Sequence, residues 1–381
     1  RDRSGSPVKE FDLNPFLALT DIEDGQAREV DIEGVTRSGN QVYWLGSHSH
    51  AEIGELRTNR WRLVATELSG QGADTVLSYL GHYEHLRSDL IAWDASNGHG
   101  RGVDYLGFAA SAAAGVLPKS SDGSGFNMEA FAMAPDATNT AYLCFRAPLV
   151  PATNRAFACI VPLANLQAVA TGGGGPGAAE FCQPILLDLG CRGIRSMEGD
   201  TNGFLMVAGE VDNRRSTHAF RFFTWTGYAA DRPIEYSGDL SGLNPEAIVA
   251  LPSPPWSPSS EIQVLSDNGR SIYYNDNITA KLLAEPAFKK FRLDAVPLGV
   301  PVVPSARIRA FDVDADGAGL TWCGPTGRVY RVQSSLEMSV PDWLNLSGPI
   351  FLAHPVNRYE WQPDSTAIRF FRVLDTGPPG P

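Results

Sequence analysis

One short phrase recurs along this chain, and it limits the folds open to it. A Glu followed by Gly or Ala appears in "DIEGV" (31 to 35), "NMEAFAM" (127 to 133), "SMEGD" (196 to 200) and "NPEAIVAL" (244 to 251). In three of these an apolar run of strand length follows. Behind each phrase come further runs with period-2 alternation and turn residues between them. The first unit reads "DIEGVTRSG", "QVYWLGS", "RWRLVATELS", "TVLSYLG", and the second "AFAMAPD", "TAYLCFRAPL", "AFACIVPLANL", "EFCQPILLDLG". The third reads "SMEGD", "GFLMVAGEV", "HAFRFFTWTG", "RPIEYSG", and the fourth "PEAIVALP", "EIQVLSDNG", "SIYYNDN", "KKFRLDAVPL". Four-stranded units opened by one phrase, at spacings of 69 and 48 residues for the last two intervals, predict an all-β chain built as a β-propeller.

The interval from Glu33 to Glu129 is longer and leaves room for one divergent unit, so five blades are preferred and four or six remain open. Within that gap "YEHLRSDLIAWDA" (83 to 95) places Leu86, Leu90, Ile91 and Trp93 on a helical face. The loop "TGGGGPGAAE" (171 to 180) lacks the Lys-Ser/Thr of a phosphate loop and reads as a flexible connector. Near residue 300 the texture changes to the Pro-rich "PLGVPVVPSA", and the Glu phrase does not return. The expected organisation is an N-terminal segment 1–24, a propeller 25–300 and a small C-terminal β-sandwich 306–376.

Thirty-eight Gly, 27 Pro and 10% aromatics agree with many short strands and tight turns. A net charge of −12 repels phosphate backbones and anionic lipid, so neither nucleic acid nor a membrane is an expected partner. The first residues, "RDRSGSPVKEF", suit a mature chain whose signal has been removed, and a secreted or periplasmic location is expected. Five cysteines are too few for a disulfide scaffold, but Cys182–Cys191 and Cys144–Cys159 are both candidate bridges, with free thiols as the alternative.

Propeller blades begin with their innermost strand, so a polar residue at each strand head converges on the axis. Glu33, Glu129, Glu198 and Glu246 are therefore expected at one mouth of a central channel, with Gly34, Ala130, Gly199 and Ala247 kept small for close approach. Four carboxylates together need cations. Arg87, Arg146, Arg192 and Arg195 are nearby in sequence, and a divalent metal such as Ca²⁺ is the other solution. His85, Asp267 and Asn268 occupy similar positions in their units, and Arg clusters favour capture of carboxylate or phosphate.

These phrases also carry a resemblance. "DIEGVTRSGNQVYWLGSHSH", "HLRSDLIAWD", "NMEAFAM" with "AYLCFRAPL", "RGIRSMEG" with "FLMVAGEVD", and "NPEAI" with "VLSDNG" resemble domain-of-unknown-function family 3616, bacterial propeller-like proteins, over roughly residues 25 to 295. The Glu-Gly phrase is more distantly similar to phytase-like propellers, which hydrolyse phosphoesters with calcium held by channel carboxylates. Glu129 and Glu246 depart from that pattern in preceding Ala, and the Asp clusters of phytases are missing. The resemblance implies a fold and a channel. The C-terminal segment resembles a small β-sandwich appended to secreted bacterial proteins, through Leu320 to Trp322, Tyr330 to Gln333 and Phe371 to Val373.

Two rival metal sites can be weighed. His48, His50, His82 and His85 could gather if the first units abut, since residues 48 and 50 on a strand would share a face. "DVDADG" (312 to 317) opens like a calcium loop, but Cys323 stands where the closing Glu is needed, and a hairpin explains the same letters. No G-x-S-x-G elbow appears. The expected function is binding of a small anionic molecule in the channel. Metal-assisted phosphoester hydrolysis would use Glu33, Glu129 and Glu246 as catalytic carboxylates, with Glu198 as a fourth metal ligand. The alternative is a non-enzymatic extracellular protein with an ion-paired channel and a protein partner on its C-terminal domain.

Overall fold

A computed structural model describes residues 9–379 except 136, 173, 213–219, 286–287, 303–305, 315–316, 339–340, 353–355 and 363–368. Strands dominate. A two-stranded hairpin, β1 (Ile22–Glu23) and β2 (Gln26–Ala27), precedes the first large sheet. That sheet is a meander of β3 (Ile32–Ser38), β4 (Gln41–Gly46), β5 (Leu63–Ser69) and β6 (Val76–Tyr83). Helices α1 (Leu86–Ala95) and α2 (Phe108–Ser111) follow, so the gap in which a divergent unit was expected is helical. The second sheet has β7 (Asn127–Met133), β8 (Ala141–Ala147), β9 (Ala158–Leu163) and, after α3 (Leu166–Ala170), β10 (Ile185–Leu187). The third has β11 (Gly193–Asp200), β12 (Gly203–Gly209), β13 (Arg221–Trp225) and β14 (Ile234–Tyr236). The fourth has three strands, β15 (Pro245–Ala250), β16 (Glu261–Ser266) and β17 (Arg292–Pro297). The expected strand "SIYYNDN" is bend and loop.

The second and third sheets are buried on both faces, which is why β7, β8, β9 and β12 read as nearly unbroken apolar runs. Along β8, Ala141, Leu143 and Phe145 enter the core shared with the first sheet, while Tyr142 and Cys144 enter the core shared with the third. Along β12, Phe204, Met206 and Ala208 face the second sheet, and Leu205 and Val207 face the fourth. Alternation thus persists, but it divides apolar residues between two cores instead of separating core from solvent. The first strands neighbour one another in series, β3 against β7, β7 against β11 and β11 against β15. Gly34 permits the first of these contacts: a Cβ there would stand 2.6 Å from the Cβ of Phe131. Gly199 has another role, since its added Cβ would strike Gly203 and Phe204 inside its own β11–β12 hairpin.

Two further sheets make up the C-terminal region. One is β18 (Arg307–Asp314), β19 (Gly317–Cys323) and β23 (Val356–Trp361); in the other, β20 (Val329–Ser335) pairs with β21 (Leu344–Asn345), β22 (Ile350–Phe351) and β24 (Phe370–Gly377). Their own core contains Leu320, Trp322, Tyr330, Val332 and Leu352. In "DVDADG", Asp314 pairs with Gly317 across a hairpin whose two turn residues lie outside the described ones. Asp312 there is held by Arg358 at 2.6 Å.

Neither expected disulfide forms. Cys144 lies opposite Ile160, so Cys159 is offset by one residue and its side chain faces the other core. Cys182 is exposed and free. Cys191, just before β11, bonds to Cys323 at the end of β19. Beside that bridge Arg307 contacts Glu210 at 2.8 Å and donates to the Cys191 carbonyl at 2.9 Å. The C-terminal sheets are therefore covalently tied to the third sheet, 132 residues upstream. Closing a loop of that size removes about 4 to 5 kcal/mol of chain entropy from the unfolded state on the loop-closure model. Cys323→Ala should lower the stability measured by urea unfolding by about 2 to 5 kcal/mol. An unchanged midpoint, together with free-thiol titration of five cysteines in the wild type, would show that the bridge does not form.

Candidate functional site

The ladder register of each first strand skips one residue near its start. The skips fall between Ile32 and Gly34, Met128 and Ala130, Ile194 and Ser196, and Pro245 and Ala247. The residues left out of the ladder are Glu33, Glu129, Arg195 and Glu246. A bulge bends its strand and re-aims the extra side chain, so these four depart from simple in-out alternation. The geometric repeat is an apolar residue, a charged residue and a small residue: Ile-Glu-Gly, Met-Glu-Ala, Ile-Arg-Ser and Pro-Glu-Ala. Glu198 fits the sequence phrase but lies three residues beyond the bulge, where it pairs with Leu205 in regular register. Arg195 takes its place.

Three carboxylates and one guanidinium thus meet. Arg195 is fully buried, with Nη1 at 3.0 Å from Glu129 Oε2 and Nη2 at 2.5 Å from Glu246 Oε1. The first contact is an ion pair outside hydrogen-bonding alignment. Glu129 also accepts from Arg146 Nη1 at 2.9 Å and from Asn127 Nδ2 at 2.6 Å, and Lys119 stands 4.0 Å away. Glu33 makes no hydrogen bond or ion pair among the described residues. Burial, and then the charges of Glu129, Asp31 and Glu246, raise its proton affinity well above the ordinary carboxylate range. Glu246 is pushed up to about 7, first by burial, against the opposing pull of Arg195. Glu198 is also raised to about 7, by burial. Glu33, Glu129, Glu198 and Glu246 line one cavity of about 200 Å³ with Trp44, Ser196 and neighbouring strand residues.

The other expected site residues divide. Arg146 and Arg195 belong to the cluster, and Asp267 adds its field to Arg195 from an exposed turn while its own Oδ1 caps Gly269. Asn268 bonds to Ser271 in that turn. Arg192 is elsewhere: it donates to the Leu189 carbonyl and feels Arg307 and Glu235 near the disulfide. Arg192 precedes β11, whereas Arg195 is the residue that the β11 bulge re-aims. His85 and Arg87 lie at the start of α1 and line a separate cavity.

The histidines do not gather either. Strand β4 ends at Gly46, and His48 has φ 56°, so the face-sharing expected of 48 and 50 does not apply. His48 Nδ1 is bound to the Gly46 carbonyl, His50 Nδ1 to the Val116 carbonyl and His82 Nδ1 to Tyr79. The expected flexible connector, apart from Gly173, which lies outside the described residues, is pinned: Gly177 and Ala179 donate to Asp89, and the Gly175 carbonyl accepts from Tyr83.

A divalent cation fits the carboxylate cluster poorly. Among the described residues no three His, Cys, Asp or Glu groups converge as a metal set. The positive charge between Glu129 and Glu246 is already supplied by Arg195.

No family model matches the chain, and no curated protein does. Among solved structures, it is similar in shape to an exo-β-1,3-galactanase from Phanerochaete chrysosporium with β-1,3-galactotriose. The TM-score is 0.31 at 9% identity, covering 90% of this chain and 90% of that one. A second structure of that enzyme, with galactose, gives TM-score 0.29 at 9% identity, covering 90% and 88%. Likeness at this level carries no argument about chemistry. Among the described residues no helix is long and apolar enough to cross a membrane.

Two outcomes follow from the charges. Arg195→Met should cost roughly 3 to 5 kcal/mol in urea unfolding at pH 8, because buried carboxylates lose their counter-charge, and part of the loss should return near pH 5. In the wild type, Glu246 holds its proton to higher pH when folded than its usual 4.5. Its contribution to stability is therefore complete below about 4.5 and lost as pH rises through about 7. Glu246→Gln should flatten the stability profile across that window; an unaltered slope would refute the assignment.

Proposed function

We propose that this chain is an exported β-propeller carrying a C-terminal β-sandwich, and that its axial pocket binds a small, neutral, hydroxyl-bearing ligand on which a carboxyl pair can act by acid–base chemistry. The propeller reading is supported by the serial packing of four first strands and the shared cavity at their heads. It takes the four sheets as consecutive blades. Export is supported by the Cys191–Cys323 bridge, which suits an oxidising compartment.

The observation that carries the ligand reading is Glu33. It is a carboxyl group with no hydrogen-bond or ion-pair partner among the described residues, on the wall of a cavity, with proton affinity raised well above the ordinary range. Beside it stands Glu246, which is tied to Arg195. Two carboxyl groups whose surroundings differ in this way can take acid and base roles, as acetal hydrolysis requires. The arginines below are buried and already engaged by Glu129 and Glu246. A phosphomonoester dianion would therefore meet carboxyl groups first, which makes it a poorer fit than a sugar or polyol.

A second reading rests on a different observation. Arg195 links Glu129 of the second sheet to Glu246 of the fourth, so the cluster also serves as an inter-sheet lock with no ligand. Calorimetric titration with neutral mono- and disaccharides separates the two, alongside turnover screens with nitrophenyl glycosides and with phosphomonoesters, with and without calcium. The expected result is binding of a neutral sugar that Glu33→Gln weakens at least tenfold without lowering stability. Absence of any sugar binding would leave the lock alone, and turnover of a phosphomonoester with calcium would replace the neutral ligand with an anionic one.

A further inference from the structure

The cavity at the start of α1 shares no residue with the axial pocket. It measures about 360 Å³ and is lined by Trp61, Arg62, Arg87, Ile91, Thr58 and neighbouring residues. Volumes of this order accommodate small organic ligands. Its unusual member is Arg87, whose residue is only 5% exposed. Buried guanidinium groups ordinarily face a carboxylate. Among the described residues Arg87 has none: Nη2 donates to His50 Nε2 at 2.6 Å and to the Ala112 carbonyl at 2.7 Å, while Nε has no acceptor there. Burial alone lowers its pKa, to about 10, so it stays cationic at neutral pH.

The surroundings complete the argument. The guanidinium lies 4.6 Å from the centroid of the Trp61 ring, and the buried Trp61 Nε1 also lacks an acceptor. The one carboxylate on the wall, Glu84, is drawn to Arg62 at 3.3 Å. The pocket also opens at the N-terminal end of a ten-residue helix, where free amides and the helix dipole favour negative charge. Donors therefore outnumber acceptors, one positive charge is uncompensated, and Trp61 and Ile91 supply apolar wall.

We propose that this pocket binds a small organic monocarboxylate with a flat apolar body, its carboxylate on Arg87 and its body against Trp61 and Ile91. A single unpaired guanidinium suits one carboxylate better than a more highly charged phosphate, and its planar fork matches carboxylate geometry.

Benzoate is the probe, titrated into the full-length chain by calorimetry at low salt, with benzamide as its uncharged counterpart and inorganic phosphate as the competing anion. Saturable binding of benzoate is expected, at least tenfold tighter than benzamide and tighter than phosphate. Arg87→Met should weaken it at least tenfold. Should that variant fail to fold, Thr58→Glu, at a partly exposed position on the cavity wall, places a carboxylate of the chain itself near Arg87 and should weaken benzoate to the same extent. Absence of saturable binding, equal affinity for benzamide, tighter phosphate binding, or unchanged affinity in a folded Arg87→Met or Thr58→Glu protein would each overturn the proposal.

Discussion

The contact on which the centre of this protein depends is the insertion of Arg195 between Glu129 and Glu246. Three bulged carboxylates are brought together by the packing of their strands. Without a cation among them, the series of sheets would close on uncompensated buried charge, at a cost of several kcal/mol. Arg195 offsets this from the third sheet, which stands between the two it joins. Arg146 secures Glu129 from the side. Glu33 is left over, and the surplus gives the cavity its chemical character.

Bulges make this arrangement geometrically available. In the second and third sheets, which are buried on both faces, most in-register side chains enter one of two apolar cores, as Leu205 and Met206 do. A charged group placed there would be costly. By leaving the ladder, Glu33, Glu129 and Glu246 reach the strand-head cavity, and Arg195 reaches the carboxylates of Glu129 and Glu246. Electrostatics and backbone irregularity are therefore one device: the bulge creates the position, and the ion pairs make it tolerable.

The two cavities treat charge in opposite ways. The strand-head pocket presents carboxyl groups over engaged arginines, whereas the pocket beside α1 presents a buried arginine with no ion-paired acid among the described residues. The arginines near the glutamates in sequence do not form one anion site, because Arg87 sits on a helix inserted between sheets and Arg192 faces the disulfide region. Sequence proximity put them in one group; topology distributes them over three places.

Much of the fold was legible in the sequence because strand runs, turn residues and helical periodicity are local. The helix Leu86–Ala95, the strands of the first three sheets and the hairpin around Asp312 all follow from a few neighbouring residues. The convergence of Glu33, Glu129 and Glu246 was readable for the same reason, since each stands at the head of a repeated unit. The choice between Arg195 and Glu198 was not readable, because it depends on which residue the β11–β12 ladder skips, and a one-residue difference in register reverses the facing of a side chain. Nor was the partner of Cys191, which lies 132 residues away, a pairing that only the packing of the C-terminal sheets against the third sheet decides. The sequence by itself determined where strands form and which residues are charged; the tertiary structure alone decided which of those charges meet, because register and sheet packing are set by contacts between distant parts of the chain.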